Sequence, residues 1–177
     1  MRVPKNSLIL LVSLILSLLP YAYATAAVES DTAIQNEILV HINAYRQHRG
    51  LSKLTMDNRI VQQAKQHSID MATHRMSFGH KHFEKRIATL HSQIKNSGAG
   101  AENVAYNYKN ARIVVEQWIR SSGHQRNIVG NYNLTGIGIA RDKQGKIYFT
   151  QMFLRTGESA RYVARRPYFG VGFRRGA

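Results

Sequence analysis

The chain opens on an apolar block with no period. Residues 7–19 are almost wholly Leu, Ile, Val and Ser, with Arg2 and Lys5 before them and Pro20 after. Small residues follow at Ala22-Tyr23-Ala24 and Ala24-Thr25-Ala26, at the spacing a signal peptidase reads. A charged start, a short apolar run and a small-residue site predict a secretory signal peptide over residues 1–26. Spanning a bilayer takes about 20 apolar residues, so an uncleaved anchor fits less well. Beyond it the pattern turns periodic. Ile34, Ile38, Ile42 and Tyr45 recur at helical spacing and predict a helix over about residues 33–49, capped by Asp31 or Thr32 and ended by Gly50. Leu51, Leu54 and Met56 anchor a connector. Asp57 caps a second helix to about residue 75, which buries Ile60, Val61, Ala64, Ser68, Met71 and Ala72. After a loop at residues 76–80, Phe83, Ile87, Leu90 and Ile94 mark a shorter third helix. Residues 96–100 read as a flexible turn, because Gly and Asn tolerate positive φ.

Residues 101–105 read as a strand or strand entry. A helix of about residues 110–122 follows, and Gly123 stops it. His124 is thereby left on a turn. Residues 134–140 alternate Ile with Gly, residues 146–154 are rich in β-formers, and 142–145 (DKQG) is the hairpin turn between them. Helices and a few antiparallel strands in this mixed order predict an α+β domain with helices packed on a small sheet. No Gly-rich phosphate loop follows a strand, so a nucleotide fold has no support.

Composition narrows the chemistry. Removing 26 residues from 177 leaves 151, enough for one domain that buries roughly 70% of its unfolded surface. Cysteine is absent. That excludes disulfides, thiol chemistry and zinc-thiolate sites, and leaves His, Asp and Glu as the strong side-chain metal ligands. Net charge is +15, or +13 once Arg2 and Lys5 leave with the leader. Such a field draws a protein towards polyanions. For an exported chain these are anionic membrane lipid, cell-wall polymer or acidic glycan, with no specific nucleic acid; the alternative is solubility and general adhesion. Residues 155–177 hold Arg155, Arg161, Arg165, Arg166, Arg174 and Arg175 against Glu158 alone, interleaved with Tyr162, Tyr168, Phe169 and Phe173. This basic aromatic tail reads as a loose segment for an anionic surface, against an irregular end packed on the domain.

Three candidates for chemistry stand on loops or element ends: His80, Glu102 and His124. Two neutral imidazoles and a carboxylate can hold a divalent cation, or the carboxylate can orient a ring and prime it for proton transfer. Spacing alone fixes no geometry, and among eight histidines structural roles compete. Ser121 and Ser122 lack a nucleophile elbow and sit at the unfavourable end of a helix dipole, so they read as a polar helix ending. His67 and His74 on the second helix, like His41 and His48 on the first, read as solvated stripes.

The order of motifs is more specific than any one of them. Residues 42–46 (INAYR), 51–57 (LSKLTMD), 78–80 (FGH), 101–105 (AENVA), Trp118 with 122–128 (SGHQRNI), 136–140 (GIGIA) and 148–153 (YFTQMF) resemble, in order and spacing, the CAP superfamily of cysteine-rich secretory, antigen 5 and pathogenesis-related proteins. The likeness is to its bacterial, secreted, disulfide-free, SCP-like branch. It covers about residues 33–154, which makes these the domain between leader and tail. It implies a three-layer α-β-α sandwich with a small central antiparallel sheet, and a cleft lined by His80, Glu102 and His124 over a polar floor of Tyr148 and Gln151. Ala101 stands where the family has glycine. Ser121 and Tyr148 stand where animal and plant members place a second Glu and a second His, so half of that tetrad is missing. The family is linked to lipid and sterol binding, signalling, wall-associated roles and disputed proteolysis. The expectation is therefore a non-enzymatic extracellular binding module for lipid or an anionic surface, with hydrolysis by the cleft histidines as the alternative. No cofactor is required. If a cation enters, His80, His124 and Glu102 are the expected ligands, and imidazole favours Zn2+ over Ca2+ or Mg2+.

Overall fold

The computed structural model describes residues 30–157. The expected signal peptide and all but the first three residues of the 155–177 tail lie outside them. Nine elements follow one another: α1 (Asp31–His48), β1 (Thr55–Met56), α2 (Asn58–Ala72), α3 (Phe83–Gln93), β2 (Ser97–Tyr106), α4 (Ala111–Arg120), α5 (Ser122–Ile128), β3 (Leu134–Arg141) and β4 (Ile147–Thr156). The strands form one sheet in the order β1-β3-β4-β2. β4 pairs antiparallel with both β2 and β3, whereas the two-residue β1 runs parallel to β3. The connector after α1 is thus drawn into the sheet, which is mixed rather than wholly antiparallel.

Strand alternation divides the core. Ala101 and Ala105 of β2, Ile137 and Ile139 of β3, and Phe149 and Phe153 of β4 share one face and pack against Ile34, Ile38 and Ile42 of α1 and Val114, Val115 and Trp118 of α4. The opposite face carries Met152 and Leu154 against Ile60 and Ala64 of α2 and Ile87 and Leu90 of α3. The expected α+β sandwich of three layers is what forms. α2 lies almost on the backbone of β3, because Gly136 and Gly138 face it. A Cβ on Gly136 would come within 2.3 Å of the Ile60 carbonyl carbon, and one on Gly138 within 2.1 Å of the Ala64 carbonyl carbon. The alternating Gly of residues 134–140 is therefore a groove for a helix.

A second fixed point is Arg46. It is 2% exposed, and its guanidinium donates to the carbonyls of Ser52 (2.9 Å), Ile128 (2.6 Å), Gly130 (2.9 Å) and Tyr132 (3.1 Å). One side chain thus ties the end of α1 to the loop that enters β3.

Several local expectations are corrected. Ser30, not Asp31 or Thr32, caps α1, by accepting from the Ala33 N–H; Asp31 pairs instead with Arg141. Residues 97–100 already belong to β2, with a register irregularity there in place of a free turn. Gly123 is no helix stop. Ser121, extended at φ −88°, ψ 117°, separates α4 from α5, and Gly123 lies inside α5 without positive φ. His124 is consequently helical, in the first turn of α5. Asp57 does cap α2, accepting from the Arg59 N–H, and Gly145 closes the 142–145 hairpin at φ +79°.

The close approach of α2 to β3 sets a measurable cost. Gly138→Ala should destabilise the fold by about 2 kcal/mol or more, since overpacking typically costs about 1–3 kcal/mol and here the clash is with backbone. Gly123→Ala, with nothing within 4 Å of the added carbon, should leave the urea midpoint unchanged or slightly raised. Equal midpoints for both variants would contradict this packing.

Candidate functional site

The site begins with the parity of β2. Glu102 shares its face with Val104 and Tyr106, the face that looks towards α2 and α3. Its side chain is 1% exposed. A carboxylate so placed needs compensation, because an unpaired buried charge is costly. Arg86 of α3 supplies it: Nε and Nη2 donate to Oε2 at 2.9 and 2.7 Å, and Nη2 also reaches Oε1 at 2.8 Å. Nη1 donates to the Lys81 carbonyl at 2.8 Å, which fixes the chain just before α3.

On the same carboxylate, His80 Nδ1 lies 2.9 Å from Oε1. A carboxylate only accepts, so Nδ1 carries the proton and Nε2 is the nitrogen left for other chemistry. The His80 side chain remains 53% exposed. Sequence reasoning placed His67 on a solvated stripe; it is 1% exposed. Its Nε2 donates to the Gly79 carbonyl at 2.8 Å and stands 3.8 Å from Glu102 Oε1. The loop carrying His80 is thus held from beneath by α2. Burial pushes the His67 pKa below its ordinary value, although Glu102 opposes the shift. The signal was in the sequence: His67 lies three residues after Ala64 and four before Met71, on the apolar stripe. Arg86 likewise falls on the stripe of Phe83 and Leu90, where a charge implies a buried partner.

His124 arrives from the other direction. Asn103 donates from its side-chain amide to the His124 carbonyl at 3.2 Å, and Asn127 donates to the Glu102 carbonyl at 3.1 Å and to Asn103 Oδ1 at 2.8 Å. These two asparagines, not singled out for a role in the sequence, pin α5 to β2. Burial, and then the like charge of His80, lower the His124 pKa.

His80 and His124 line one cavity of about 550 Å3 along the outer edge of β2, with walls from Phe78, Val104, Tyr106, Tyr108 and Trp118. Ser121 and Gln117 line it as well. Phe78 and Tyr106 pack with ring centroids 4.9 Å apart, and Tyr106 stacks on Tyr148 at 5.6 Å. The expected floor is not formed as the motif implied. Tyr148 stands behind Tyr106, and Gln151 lies on the opposite face of the sheet, fully buried, donating to Thr135 Oγ1 at 3.2 Å. An odd-numbered β4 residue cannot share a face with Tyr148, as the register dictates.

The expected three-ligand cation set does not assemble either. Among the described residues no three His, Asp or Glu side chains are grouped to hold a metal ion. Both oxygens of Glu102 are taken up by Arg86 and His80, and a cation there would meet a guanidinium. His80 and His124 line the same cavity, and Glu102 serves as the group that orients His80.

A three-layer sandwich with a Glu-anchored histidine and a second histidine on the rim of its edge strand defines a CAP-type domain of the bacterial SCP class. The chain belongs to the cysteine-rich secretory protein family, whose profile matches residues 39–153. Two Bacillus subtilis (strain 168) proteins are similar. The uncharacterized membrane protein YlbC is 30% identical over 129 residues, 71% of this chain, and the uncharacterized protein YkwD is 31% identical over 137 residues, 73% of this chain. The chain spans 35% and 50% of their respective lengths. Among solved structures, an outer surface protein of Borrelia burgdorferi superposes with a TM-score of 0.60 at 19% identity, covering 69% of this chain and 92% of that one. An extracellular SCP-domain protein of Bacillus anthracis gives 0.59 at 21% identity, covering 71% and 41%. At these identities the structures show the fold alone.

Buried His67 and half-buried His124 predict a pH dependence of stability. With folded-state pKa values lowered, His67 and His124 take up protons at a lower pH in the fold than in the unfolded chain, where they titrate near their ordinary value of 6.5. The unfolded state then binds more protons, so stability is full above about pH 6.5 and falls as pH drops below it. Urea midpoints measured from pH 7.5 to 5 should fall, and His124→Gln should flatten that slope. A midpoint that rises on acidification would contradict the assignment.

Proposed function

We propose that the protein is an exported, non-enzymatic binding module whose edge-strand cavity takes a single-chain lipid with a polar head. The lining of that cavity carries this reading. Phe78, Val104, Tyr106, Tyr108 and Trp118 offer an apolar channel in which each Å2 of hydrocarbon removed from water contributes about 25 cal/mol. His80 and His124 supply polar contacts for the head. Phe78 and Tyr106 remain 48% and 46% exposed, a large apolar surface that a soluble monomer seldom leaves bare without a use. The net charge of +15 favours delivery to an anionic membrane or cell-wall polymer. No helix among the described residues is long and apolar enough to cross a membrane; export rests on the leader pattern of residues 1–26.

A divalent cation, zinc by the preference of imidazole, would be held by His80 and His124. Glu102 would act one step out, fixing the His80 tautomer through Nδ1. When bound, the ion supplies an electrophile for an anionic head. Hydrolysis is the second reading, and it rests on Ser121 lining the same cavity as both imidazoles. Against it, Ser121 makes no side-chain hydrogen bond to either ring among the described residues, and the one site carboxylate is neutralised by Arg86.

Trp118 is the only tryptophan in the chain, so its emission reports on the cavity. Titration with lysophosphatidylglycerol below its micelle concentration should give a saturable change in that emission. Tyr106→Ser should weaken binding about tenfold, the loss expected from one aromatic contact. A linear response, or equal affinity in the variant, would reject the lipid site. Zinc titration by calorimetry should give heat that is lost in His80→Ala and in His124→Ala. Turnover of a p-nitrophenyl ester abolished by Ser121→Ala would instead favour hydrolysis.

A further inference from the structure

We propose that His80 and His124 form an acceptor–donor pair that selects an uncharged, hydroxyl-bearing head for the lipid in the edge-strand cavity. The proposal rests on the lipid reading above and adds to it the chemistry of the head.

The argument starts from the two Nδ1 atoms. His80 Nδ1 lies 2.9 Å from Glu102 Oε1. That carboxylate also takes Arg86 and can only accept, so the His80 ring proton sits on Nδ1. Its Nε2 is left as a lone pair on a side chain 53% exposed. His80 therefore accepts. His124 is built the other way round. Its Nδ1 is buried and has no hydrogen-bond partner among the described residues. A proton there would be an orphaned N–H in a poorly solvated place, and orphaned buried donors are rarer than under-satisfied acceptors. The proton is better placed on Nε2, the nitrogen on the accessible side of this half-buried ring, where a ligand or water can receive it. His124 therefore donates.

Two rings of opposite character thus face one cavity of about 550 Å3. A hydroxyl both donates and accepts, and so satisfies both. An ester or a carboxylate only accepts, and would set an oxygen against the His80 lone pair. Charge points the same way. The protein has 25 Lys and Arg, yet among the described residues none lines this cavity, and no Asp or Glu does either. An ionised head would enter a largely apolar wall with no fixed counter-charge, at the cost of its hydration. The long-range positive field brings the protein to an anionic surface; the cavity itself suits an uncharged head. Coordination of a cation by His124 Nε2 would require the proton on the buried Nδ1, so a cation and the hydroxyl head are alternatives at this ring.

Two measurements test this. Long-range 1H–15N correlation of the imidazole rings in the free protein, at about pH 8 and so above the ordinary histidine pKa, should show His80 protonated on Nδ1 and His124 on Nε2. The same tautomer in both rings would overturn the pair, whatever the ligand. Titration of Trp118 emission with three probes of one chain length then reads the head: monolauroylglycerol, methyl laurate and laurate, each below its solubility or micelle limit. The monoacylglycerol should bind about tenfold tighter than the methyl ester, the difference made by one hydrogen bond, and tighter than laurate. His80→Phe removes the acceptor from an exposed position and should bring the monoacylglycerol down to the ester's affinity. Equal affinity for monoacylglycerol and ester in the unsubstituted protein, or laurate binding tightest, would overturn the uncharged hydroxyl head. Saturable binding of none of the three would reject the lipid reading and the head with it, while the ring spectrum would still decide the tautomers.

Discussion

Glu102 is a carboxylate with 1% of its side chain exposed, and its neutralisation organises everything around it. Arg86 must come within bonding distance, which sets where α3 lies on the sheet. Once Arg86 fills one side of the carboxylate, His80 can approach only from the other, and only with its Nδ1 proton towards the oxygen. The accepting group therefore selects both tautomer and ring direction. His67 closes the arrangement from α2, holding Gly79 so that His80 is presented at a fixed height. The pair is not a large source of stability, because desolvation offsets most of its Coulomb attraction. Its effect is on position.

That position also requires α2 to sit unusually close to the sheet. Gly136 and Gly138 remove the Cβ atoms that would hold the helix away, and Ser68 then reaches both the Gly138 carbonyl and Thr150 Oγ1, at 3.1 and 2.9 Å. The small residues of β3 and the buried histidine of α2 are one device. On the opposite face, Asn103 and Asn127 perform the corresponding task for α5. Adjacent residues of one edge strand, Glu102 and Asn103, point to opposite faces and anchor the two histidines separately. The cavity follows from this: it lies along the β2 edge, and so gathers side chains from both layers. An open strand edge is a liability in a soluble protein, and here the 76–80 loop and the start of α5 cover it while leaving a channel.

What such a channel can do depends on the state of its groups. With Glu102 bound by Arg86, the site holds no free carboxylate to take or give a proton. His80 is held on that carboxylate by a hydrogen bond, and His124 is placed by a peptide carbonyl fixed to Asn103. Ser121 lines the same cavity as both imidazoles, whereas Tyr148 stacks behind Tyr106.

The sequence by itself determined most of the helices, the final hairpin and the family. Helical periodicity marked Ile34, Ile38 and Ile42; Asp57 and the DKQG turn behaved as their local chemistry requires; and seven short motifs in order identified the domain. Each depends on neighbours within a few residues, which a linear reading sees. The placement of charges was decided only by tertiary structure. His67 read as part of a solvated stripe until a buried carboxylate 35 residues away claimed it, and the same carboxylate, 16 residues from Arg86, gives that arginine its role. Gln151 read as part of the cleft until strand register turned it to the other face, and Gly123 read as a stop until Ser121 took the break and α5 continued. Burial and strand parity are properties of contacts between distant segments. Local spacing cannot fix them, because the partner that makes a charge affordable is supplied by another layer of the fold.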